Sequence, residues 1–420
     1  MFVNTLIWVY SNLCNYLLNG YHLEVQQKEM RINDVRKVDL QSNFEVVYQW
    51  THLNYTWQSE EHYKWALDTK RYIPANNAPT GLKFYQQRLF LSIPRYRPGV
   101  PATLVSLDTH DETSHENPLL SPFPNWDSND DIGSCSNLQS VQSMEVDTRG
   151  IMWVIDGVRI NNYTRCPAKL IFLDLNNEGR ELKTYIFPEK IASQYGRFLN
   201  DIVVDETDGD FAYITDNSLM DPGIIVYSRR QNVSWKLRDA SMRPNPKAIP
   251  FTVDDVLFDA SVPVDGIALT PYSHNGKKRL YYCAMSSFTI YSISTSVLKN
   301  KPLVTSGKWR RRIRSEGEKN SQSDGIMIDE LSTMYLTMLP FSGIASWKTD
   351  LPTSTMQLVY TNRETMVWPD GFAFDQQGFL YVICNKVFNY IDLKRTPVIS
   401  GDTPFRVLKT FTGTRSYLYR

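Results

Sequence analysis

Long apolar runs are missing from this 420-residue sequence, and so is any excess of charge of one sign. A helix needs roughly 18 consecutive apolar residues to cross a bilayer, and no such run occurs, so no membrane span is predicted. Lysine and arginine together number 45, and aspartate and glutamate also number 45. Proteins that bind nucleic acid through its phosphates usually carry a basic excess, so no nucleic-acid partner is predicted.

Sequence motifs for catalysis and metal binding are also scarce. The five cysteines form no C-x-x-C pair, which argues against zinc and dithiol redox sites. The six histidines include one close pair, His110 and His115, in a polar segment. No H-E-x-x-H, G-x-S-x-G or phosphate-binding glycine loop is present. These motifs therefore assign no catalytic residue, no metal ligand and no cofactor.

The first 21 residues carry no formal charge, and the apolar segment 6–10 resembles the start of a signal peptide. Asparagines at 4, 12, 15 and 19 interrupt it, no basic residue precedes it, and no small-residue cleavage site follows. Residues 1–21 are interpreted as a leader, and whether it is a working signal peptide stays open. Cys14 falls within this segment.

A short strand pair recurs along the remainder of the chain. In one copy, Asp370-Gly371 opens an alternating apolar strand, a polar turn contains Gly378, and an aromatic strand returns through Tyr381. Alternation, a glycine turn and a returning aromatic strand are typical of a β-hairpin. Similar hairpins begin near residues 80, 144, 201, 265, 324 and 370.

Six hairpins at such spacing predict an all-β fold, a six-bladed β-propeller, in which each repeat forms one radial sheet. We expect a single propeller domain at residues 25–400, followed by a C-terminal tail at 401–420. The aromatic-rich segment 44–50 is a candidate closing strand that pairs with the last blade, since closure removes exposed sheet edges. The alternative is an irregular pair of β-sandwiches in which the repeats are coincidental.

Acidic and amide residues stand where several repeats begin: Asn200, Asp201, Asp265, Asp324 and Asp370. The innermost strands of a propeller line its channel, so these side chains are expected to converge on the axis. Their oxygens suit Ca²⁺, which takes six to eight oxygen ligands. They also suit the ammonium group of an amine whose ring stacks on Phe288, Tyr282 or Phe372. A structural alternative is that these aspartates cap turns.

Several segments together resemble the yellow / major royal jelly protein family over nearly the whole chain, from about 44 to 390. The segments that carry the resemblance lie at residues 72–81, 88–97, 99–104, 122–126, 146–156, 166–170, 199–205, 280–287, 370–371 and 384–386. The resemblance implies a six-bladed propeller, secretion, and a small-molecule pocket at one mouth of the channel. We expect the chain to be a monomer. It also implies a disulfide between Cys135 and Cys166.

Family members differ in activity, so the resemblance leaves the function open between two classes. One is binding of a small aromatic amine, catechol or quinone, and the other is conversion of dopachrome in pigmentation. A structural role without chemistry is a further alternative. The expected ligand-binding residues are Asn200, Asp201, Asp265, Phe288, Asp370, Phe372 and Asn385.

This sequence departs from the family pattern at four positions. Ser346 stands where a second disulfide needs a cysteine, and Val387 stands where an aromatic residue is common. Cys283 and Cys384 replace small polar residues, and they are expected either as buried free thiols or as a pair. Glycosylation sequons begin at Asn54, Asn162 and Asn232, which is compatible with a secreted, extracellular glycoprotein.

Overall fold

The computed structural model describes residues 43–109, 115–130, 133–157, 165–271, 278–397 and 401–419. All described residues belong to the unit Ser42–Arg420. The expected leader at 1–21, Cys14, His110 and the sequon asparagine Asn162 lie outside the described residues.

The repeated hairpins form the inner two strands of four-stranded antiparallel sheets, which are the blades of a propeller. Blade 1 contains β2 Leu82–Tyr85, β3 Arg88–Ser92, β4 Leu104–Asp108 and β5 Ser121–Pro122. Blade 2 contains β6 Val141–Val146, β7 Ile151–Asp156, β8 Lys169–Asp174 and β9 Arg180–Ile186. Blade 3 contains β10 Leu199–Asp205, β11 Phe211–Asp216, β12 Gly223–Ser228 and β13 Val233–Leu237.

The second half of the ring repeats this plan. Blade 4 contains β16 Val264–Leu269, β17 Arg279–Ala284, β18 Thr289–Ser294 and β19 Arg314–Glu318. Blade 5 contains β20 Ile326–Ile328, β21 Thr333–Met338, β22 Gly343–Lys348 and β23 Gln357–Thr361. Blade 6 contains β24 Trp368–Phe374, β25 Phe379–Asn385, β26 Phe405–Phe411 and, from the start of the described chain, β1 Glu45–Trp50. The predicted all-β, six-bladed propeller is confirmed.

The ring closes through strands from both ends of the described chain. Strand β1 pairs antiparallel with β26, with Glu45 opposite Lys409 and Trp50 opposite Phe405. The closing role expected for segment 44–50 is therefore observed. The expected tail at 401–420 is corrected, because its residues supply a central strand of blade 6 that lies between β1 and β25.

Few helices interrupt the sheets, and among the described residues none is long and apolar enough to cross a membrane. The α-helices are α1 Glu60–Asp68, α2 Asp127–Asp130, α3 Thr295–Leu298, α4 Lys301–Thr305 and α5 Phe388–Ile391. The 3₁₀ turns are Pro74–Asn76, Leu175–Asn177, Ala240–Met242, Pro246–Ala248, Lys308–Arg312, Leu339–Phe341, Thr353–Thr355 and Tyr417–Tyr419. A separate hairpin, β14 Phe251–Val253 and β15 Val256–Phe258, is inserted between blades 3 and 4.

Aspartates at the ends of the innermost strands explain why a turn and an aromatic residue recur in the repeated hairpin. The Asp375 carboxylate accepts hydrogen bonds from the backbone amides of Gln377 and Phe379, both at 2.9 Å. Its second oxygen accepts from the Tyr381 hydroxyl at 3.1 Å. Asp147 makes the same turn bonds and accepts from the Trp153 indole at 3.2 Å. These aspartates therefore cap the turns, which leaves the aspartates at the opposite strand ends for another role.

Apolar side chains fill the spaces between neighbouring blades. Trp50, Trp153 and Trp368 are fully buried, and Trp153 packs edge-on against Phe172 with ring centroids 4.5 Å apart. Burying a large apolar side chain contributes about 1.5–3 kcal/mol, so this packing holds the blades as rigid walls around the axis.

Candidate functional site

Six polar residues occupy equivalent positions where the six innermost strands enter the channel. They are Thr80, Gln142, Asn200, Asp265, Asp324 and Asp370, and all of them line the axial cavity. We call this set the polar ring. It contains three carboxyl groups, two amides and one hydroxyl, and no basic side chain belongs to it.

Local sequence explains how the backbones come close enough to form the polar ring. Gly266 and Gly325 each follow a ring aspartate, and a Cβ at either position would clash with the carbonyl oxygen of the ring residue in the next blade. Buried hydroxyls then fix the strand entrances: the backbone amide of Asp324 donates to Thr337 Oγ1 at 2.7 Å. Glycine therefore follows aspartate here because the blades approach each other through bare backbone.

One end of the channel widens into a cavity of about 360 Å³ that is open to solvent, which we call the mouth. Its floor includes the ring residues Gln142, Asn200, Asp265, Asp324 and Asp370. Its walls come from elsewhere: Tyr96, Phe198, Phe258, Met285, Trp368, Val387 and Phe388. The mouth thus combines an acidic floor with largely apolar walls.

Neutral donors hold the floor carboxyl of Asp265 in place. The side-chain amide of Asn200 donates to one of its oxygens, and that of Asn217 donates to the other at 3.0 Å. Asp265 also hydrogen-bonds with the neighbouring Asp324 carboxyl. Two carboxyl groups in hydrogen-bond contact can share one proton, because two adjacent like charges are unfavourable in a buried site.

The other two floor carboxyls have donors of their own. The Trp368 indole nitrogen donates to Asp324 Oδ2 at 2.8 Å, and the Asn385 amide donates to Asp370 Oδ2 at 2.8 Å. Asn385 also donates to the carbonyl oxygen of Pro79 at 2.8 Å, which ties blade 6 to the entrance of blade 1. Each carboxyl is therefore oriented by uncharged groups and keeps its negative charge uncompensated when ionised.

Burial and mutual repulsion shift the acidity of the floor. Burial raises the pKa of Asp265 well above its usual range, and the adjacent Asp324 raises it further. Burial likewise raises the pKa of Asp324, with Asp370 adding to the effect. Burial raises the pKa of Asp370 too, while the hydrogen bond from Asn385 opposes that rise. The floor therefore favours a positive partner or bound protons.

Aromatic rings wall the mouth on two sides. Trp368 lies 5.3 Å from Phe258 and 5.7 Å from Phe388, measured between ring centroids. Tyr96 stacks on Phe198 at 6.1 Å with an interplanar angle of 15°. The inserted hairpin supplies Phe258, and helix α5 supplies Phe388. Flat apolar surfaces of this kind suit a ligand that contains an aromatic ring.

Below the polar ring, the channel narrows into an inner chamber that contains Lys83, Glu145 and Asp201. Lys83 Nζ lies 3.6 Å from Glu145 Oε2. Burial raises the pKa of both acids, and Lys83 opposes the rise at each. Tyr417 from the C-terminal turn also lines this chamber, and its hydroxyl accepts a hydrogen bond from the Val204 amide at 2.9 Å.

The structure separates the residues expected to bind ligand. Asn200, Asp265 and Asp370 lie in the floor of the mouth, whereas Asp201 and Phe372 line the inner channel. Asn385 is fully buried behind Asp370. Phe288 lies outside both cavities. Tyr282 is buried, and its hydroxyl lies 2.8 Å from Ser241 Oγ. Phe288, Tyr282 and Phe372 therefore do not line the mouth, whose aromatic residues come from its walls.

Most wall residues were not predicted from the sequence, because they lie outside the repeated hairpins. Trp368 is the exception, since it lies two residues before Asp370 in the same repeated strand. Phe258 and Phe388 lie on an inserted hairpin and a short helix that have no counterpart in the other blades. Only a fold that brings blades 3, 4 and 6 around one opening places them together.

A calcium site at the axis finds no geometric support. Across the described ranges, no group of three or more His, Cys, Asp or Glu side chains is arranged to hold a metal ion. His115, considered in the sequence with His110, contacts the carbonyl oxygen of Val47 through Nδ1 at 2.8 Å.

One known protein family matches more than half of the chain. The family model described as "Major royal jelly protein" matches residues 139–401. The chain belongs to the major royal jelly protein family. This confirms the resemblance carried by the sequence segments.

Curated relatives within the major royal jelly protein family cover most of the chain. Protein yellow of Drosophila erecta is 27% identical over 374 residues, which cover 86% of this chain and 67% of that protein. Dopaminechrome tautomerase of Drosophila melanogaster is 26% identical over 411 residues, which cover 93% of this chain and 86% of that protein.

Among solved structures, the chain is similar to a luciferin-regenerating enzyme, with 11% identity and a TM-score of 0.47, over 80% of this chain and 92% of that one. It is also similar to a gluconolactonase from Xanthomonas campestris, with 12% identity and a TM-score of 0.47, over 88% and 90% of the two chains.

Cysteine positions agree in part with the expectation from the major royal jelly protein family. Cys135 and Cys166 form a disulfide, with their Cα atoms 5.2 Å apart, as predicted. Cys283 and Cys384 are buried free thiols, so the alternative that they pair is wrong. Val387 lines the mouth, and the neighbouring Phe388 supplies the ring there.

The two described sequon asparagines differ in accessibility. Asn232 is exposed at the turn between β12 and β13, and its side-chain carbonyl accepts from Tyr227 at 3.0 Å. Asn54 is half-buried, and its side-chain carbonyl accepts from the Tyr55 amide and from the Trp57 indole at 3.0 Å. The exposed asparagine is the better acceptor for a bulky glycan.

Proposed function

We propose that this protein binds a small aromatic amine, or a related catechol or quinone, at the mouth of the propeller channel. The observation that carries the proposal is the meeting of three buried carboxyls with an aromatic wall. Asp265, Asp324 and Asp370 form the floor, and Trp368 with Phe388 stands beside it. Such a site offers a counter-charge to an ammonium group and a flat surface to its ring.

The ammonium group of the ligand is placed at the floor because the polar ring contains three carboxyls and no basic side chain. Ionised Asp265 and Asp370 lie in a buried environment, where an ion pair with a cation is stronger than in water. The ring is then directed towards Trp368 and Phe258, away from the narrow inner chamber. This arrangement accounts for an acidic floor that would otherwise be costly to bury.

Amine binding is expected to tighten as pH rises. The raised pKa values mean that the empty floor retains protons at a pH where free aspartate has lost them. An ammonium group favours the ionised carboxyls, so binding releases protons. Affinity therefore increases as pH rises through the carboxyl pKa values, until the amine itself loses its proton.

Isothermal titration with serotonin, dopamine and histamine tests the proposal. We expect heat of binding with at least one aromatic amine, and a loss of about tenfold or more in affinity in Asp370→Asn. Asp350→Asn is the matched control, since Asp350 is exposed in the turn after β22, far along blade 5 from the floor. Absence of heat with all three amines contradicts the amine proposal.

Tautomerisation of an aminochrome is the second candidate function. The hydrogen-bonded pair Asp265 and Asp324 favours it, because carboxyls with raised pKa values can accept protons and return them. Such a reaction moves protons from ring carbon to quinone oxygen, and the electron pairs of the broken C–H bonds enter the ring. It needs no external oxidant or reductant. The relative named dopaminechrome tautomerase adds support.

The tautomerase candidate is tested with purified protein and freshly prepared dopaminechrome. Faster loss of the aminochrome absorbance with wild type than with Asp265→Asn supports it. A rate equal to that of buffer alone rejects the tautomerase candidate and leaves the binding proposal intact.

We further propose that the chain is secreted and glycosylated and that it acts as a monomer in a pigmentation-related role, consistent with its disulfide and its relatives.

A further inference from the structure

Negative charge dominates the mouth beyond its floor. Asp259 and Asp392 line the same cavity as the floor carboxyls, and Arg395 is the only basic residue lining it within the described part of the chain. Arg395 is already engaged: its Nε lies 3.3 Å from Asp392 Oδ2, and its Nη2 donates to the carbonyl oxygen of Leu257 at 3.0 Å. A ligand therefore meets an acidic cavity whose single guanidinium is held at the rim.

Nearby lysines do not change this balance. Lys319 is buried close to Asp265, but its ammonium donates to the carbonyl oxygens of Ser287 at 2.8 Å and Ser321 at 3.0 Å. Lys83 lies in the inner chamber beside Glu145. Neither lysine lines the mouth, so neither is placed to receive an anionic group of a ligand bound there.

Two neutral donors beside the floor carboxyls are also committed. The single N–H of Trp368 is used on Asp324, and the amide of Asn385 donates both to Asp370 and to the carbonyl oxygen of Pro79. A ligand anion that took over one of these donors would leave a floor carboxyl without it. Since a buried charge without a partner is strongly unfavourable, neither donor is available to a second negative group.

We propose that the mouth selects decarboxylated aromatic amines and rejects their α-carboxylate analogues. This selectivity rests on the proposed function, because it assumes that the ammonium group is held at the floor. In an amino acid the carboxylate is attached to the carbon that carries the nitrogen. Seating the ammonium on Asp265, Asp324 and Asp370 therefore brings the carboxylate within a few ångströms of the same three groups, where it is desolvated and repelled.

Matched ligand pairs test the selectivity by isothermal titration at one pH. Dopamine is compared with L-3,4-dihydroxyphenylalanine, and serotonin with 5-hydroxytryptophan, since each pair differs only in the carboxylate. We expect the amine of each pair to bind at least about 30-fold more tightly. Equal affinities within both pairs overturn the selectivity and leave amine binding standing. Absence of binding by all four ligands overturns the proposed function and the selectivity with it.

A substitution of Asp392 at the rim tests whether the negative charge of the mouth causes the selectivity. Asp392→Asn removes the carboxylate that holds Arg395 and keeps the shape of the side chain, so the guanidinium is released towards the mouth. The amine-to-amino-acid affinity ratio is expected to fall by about tenfold, through tighter binding of the amino acid. Asp350→Asn serves as the control, with an unchanged ratio. If both variants retain the wild-type ratio, electrostatic exclusion at the mouth is contradicted.

Discussion

The indole nitrogen of Trp368 donates a hydrogen bond to Asp324 Oδ2 at 2.8 Å, and both side chains are buried. This bond joins the first residue of β24 in blade 6 to the entrance of blade 5. It also lowers the pKa of Asp324 against the upward effect of burial. One tryptophan thus contributes a ring to the wall of the mouth and a donor to its floor.

Trp368→Phe is predicted to weaken amine binding while preserving the apolar wall. Without the indole donor, the pKa of Asp324 rises further, so a smaller fraction of the floor carboxyls is ionised at a given pH. We expect a loss of about tenfold in affinity and a shift of the binding pH profile to higher pH, measured by titration across pH. Trp347→Phe is the control, because its indole donates to the Leu351 carbonyl away from the mouth. An unchanged pH profile in Trp368→Phe contradicts the assigned role.

Stability without ligand is predicted to fall as pH rises. The floor carboxyls have folded-state pKa values above the ordinary value of 3.8, so they bind protons more tightly in the folded state than in the unfolded state. Their contribution is complete below the ordinary pKa and is lost as pH rises through the raised values. Denaturant unfolding between about pH 4 and pH 8 should show this slope, and Asp265→Asn with Asp324→Asn should flatten it. A double variant with the wild-type slope would refute the assignment.

The disulfide between Cys135 and Cys166 is predicted to stabilise the fold measurably. It spans 31 residues, and loss of such a link costs about 3–4 kcal/mol in the chain-entropy model. We expect the double serine variant to unfold at lower denaturant with nearly the same slope. Cys384→Ser is the comparison at a free buried thiol. It keeps the disulfide, so reducing agent should destabilise it as it does the wild type, whereas the double serine variant should not respond. Equal stability of the wild type in oxidised and reduced form would count against this role.

Expression in a secretory cell line is predicted to place a glycan on Asn232. This asparagine is exposed, whereas Asn54 is half-buried and its side chain holds the Trp57 indole. Asn232→Gln should therefore remove a mass increment that glycosidase also removes, and Asn54→Gln should change the mass less. Mass spectrometry of glycopeptides reads this directly. A glycan found on Asn54 with Asn232 unmodified is the contrary result.

The repeat predicted the ring and its floor because both follow from one position copied around an axis. Asp265, Asp324 and Asp370 recur in phase, and any six-bladed closure brings them together. The aspartates that actually cap turns, such as Asp147 and Asp375, lie at the other ends of the same strands, and the sequence pattern did not separate the two roles.

The walls of the mouth depend on structure that is not repeated. Phe258 and Phe388 come from segments unique to their blades, and their approach to Trp368 is a tertiary contact. From sequence alone, residues 401–420 are predicted as a tail, because the strand that they contain is separated from β25 by a long connection. Pairing of β26 between β1 and β25 arises only when the ring closes, so local pattern alone does not reveal it.

A crystal structure with the tightest-binding amine shows where the ammonium group lies. We expect the ammonium nitrogen within hydrogen-bond distance of the Asp265, Asp324 or Asp370 carboxyls, with the ring against Trp368. A ligand bound outside the mouth, or bound in it with its ammonium turned to solvent and away from the three carboxyls, would contradict amine binding by the floor.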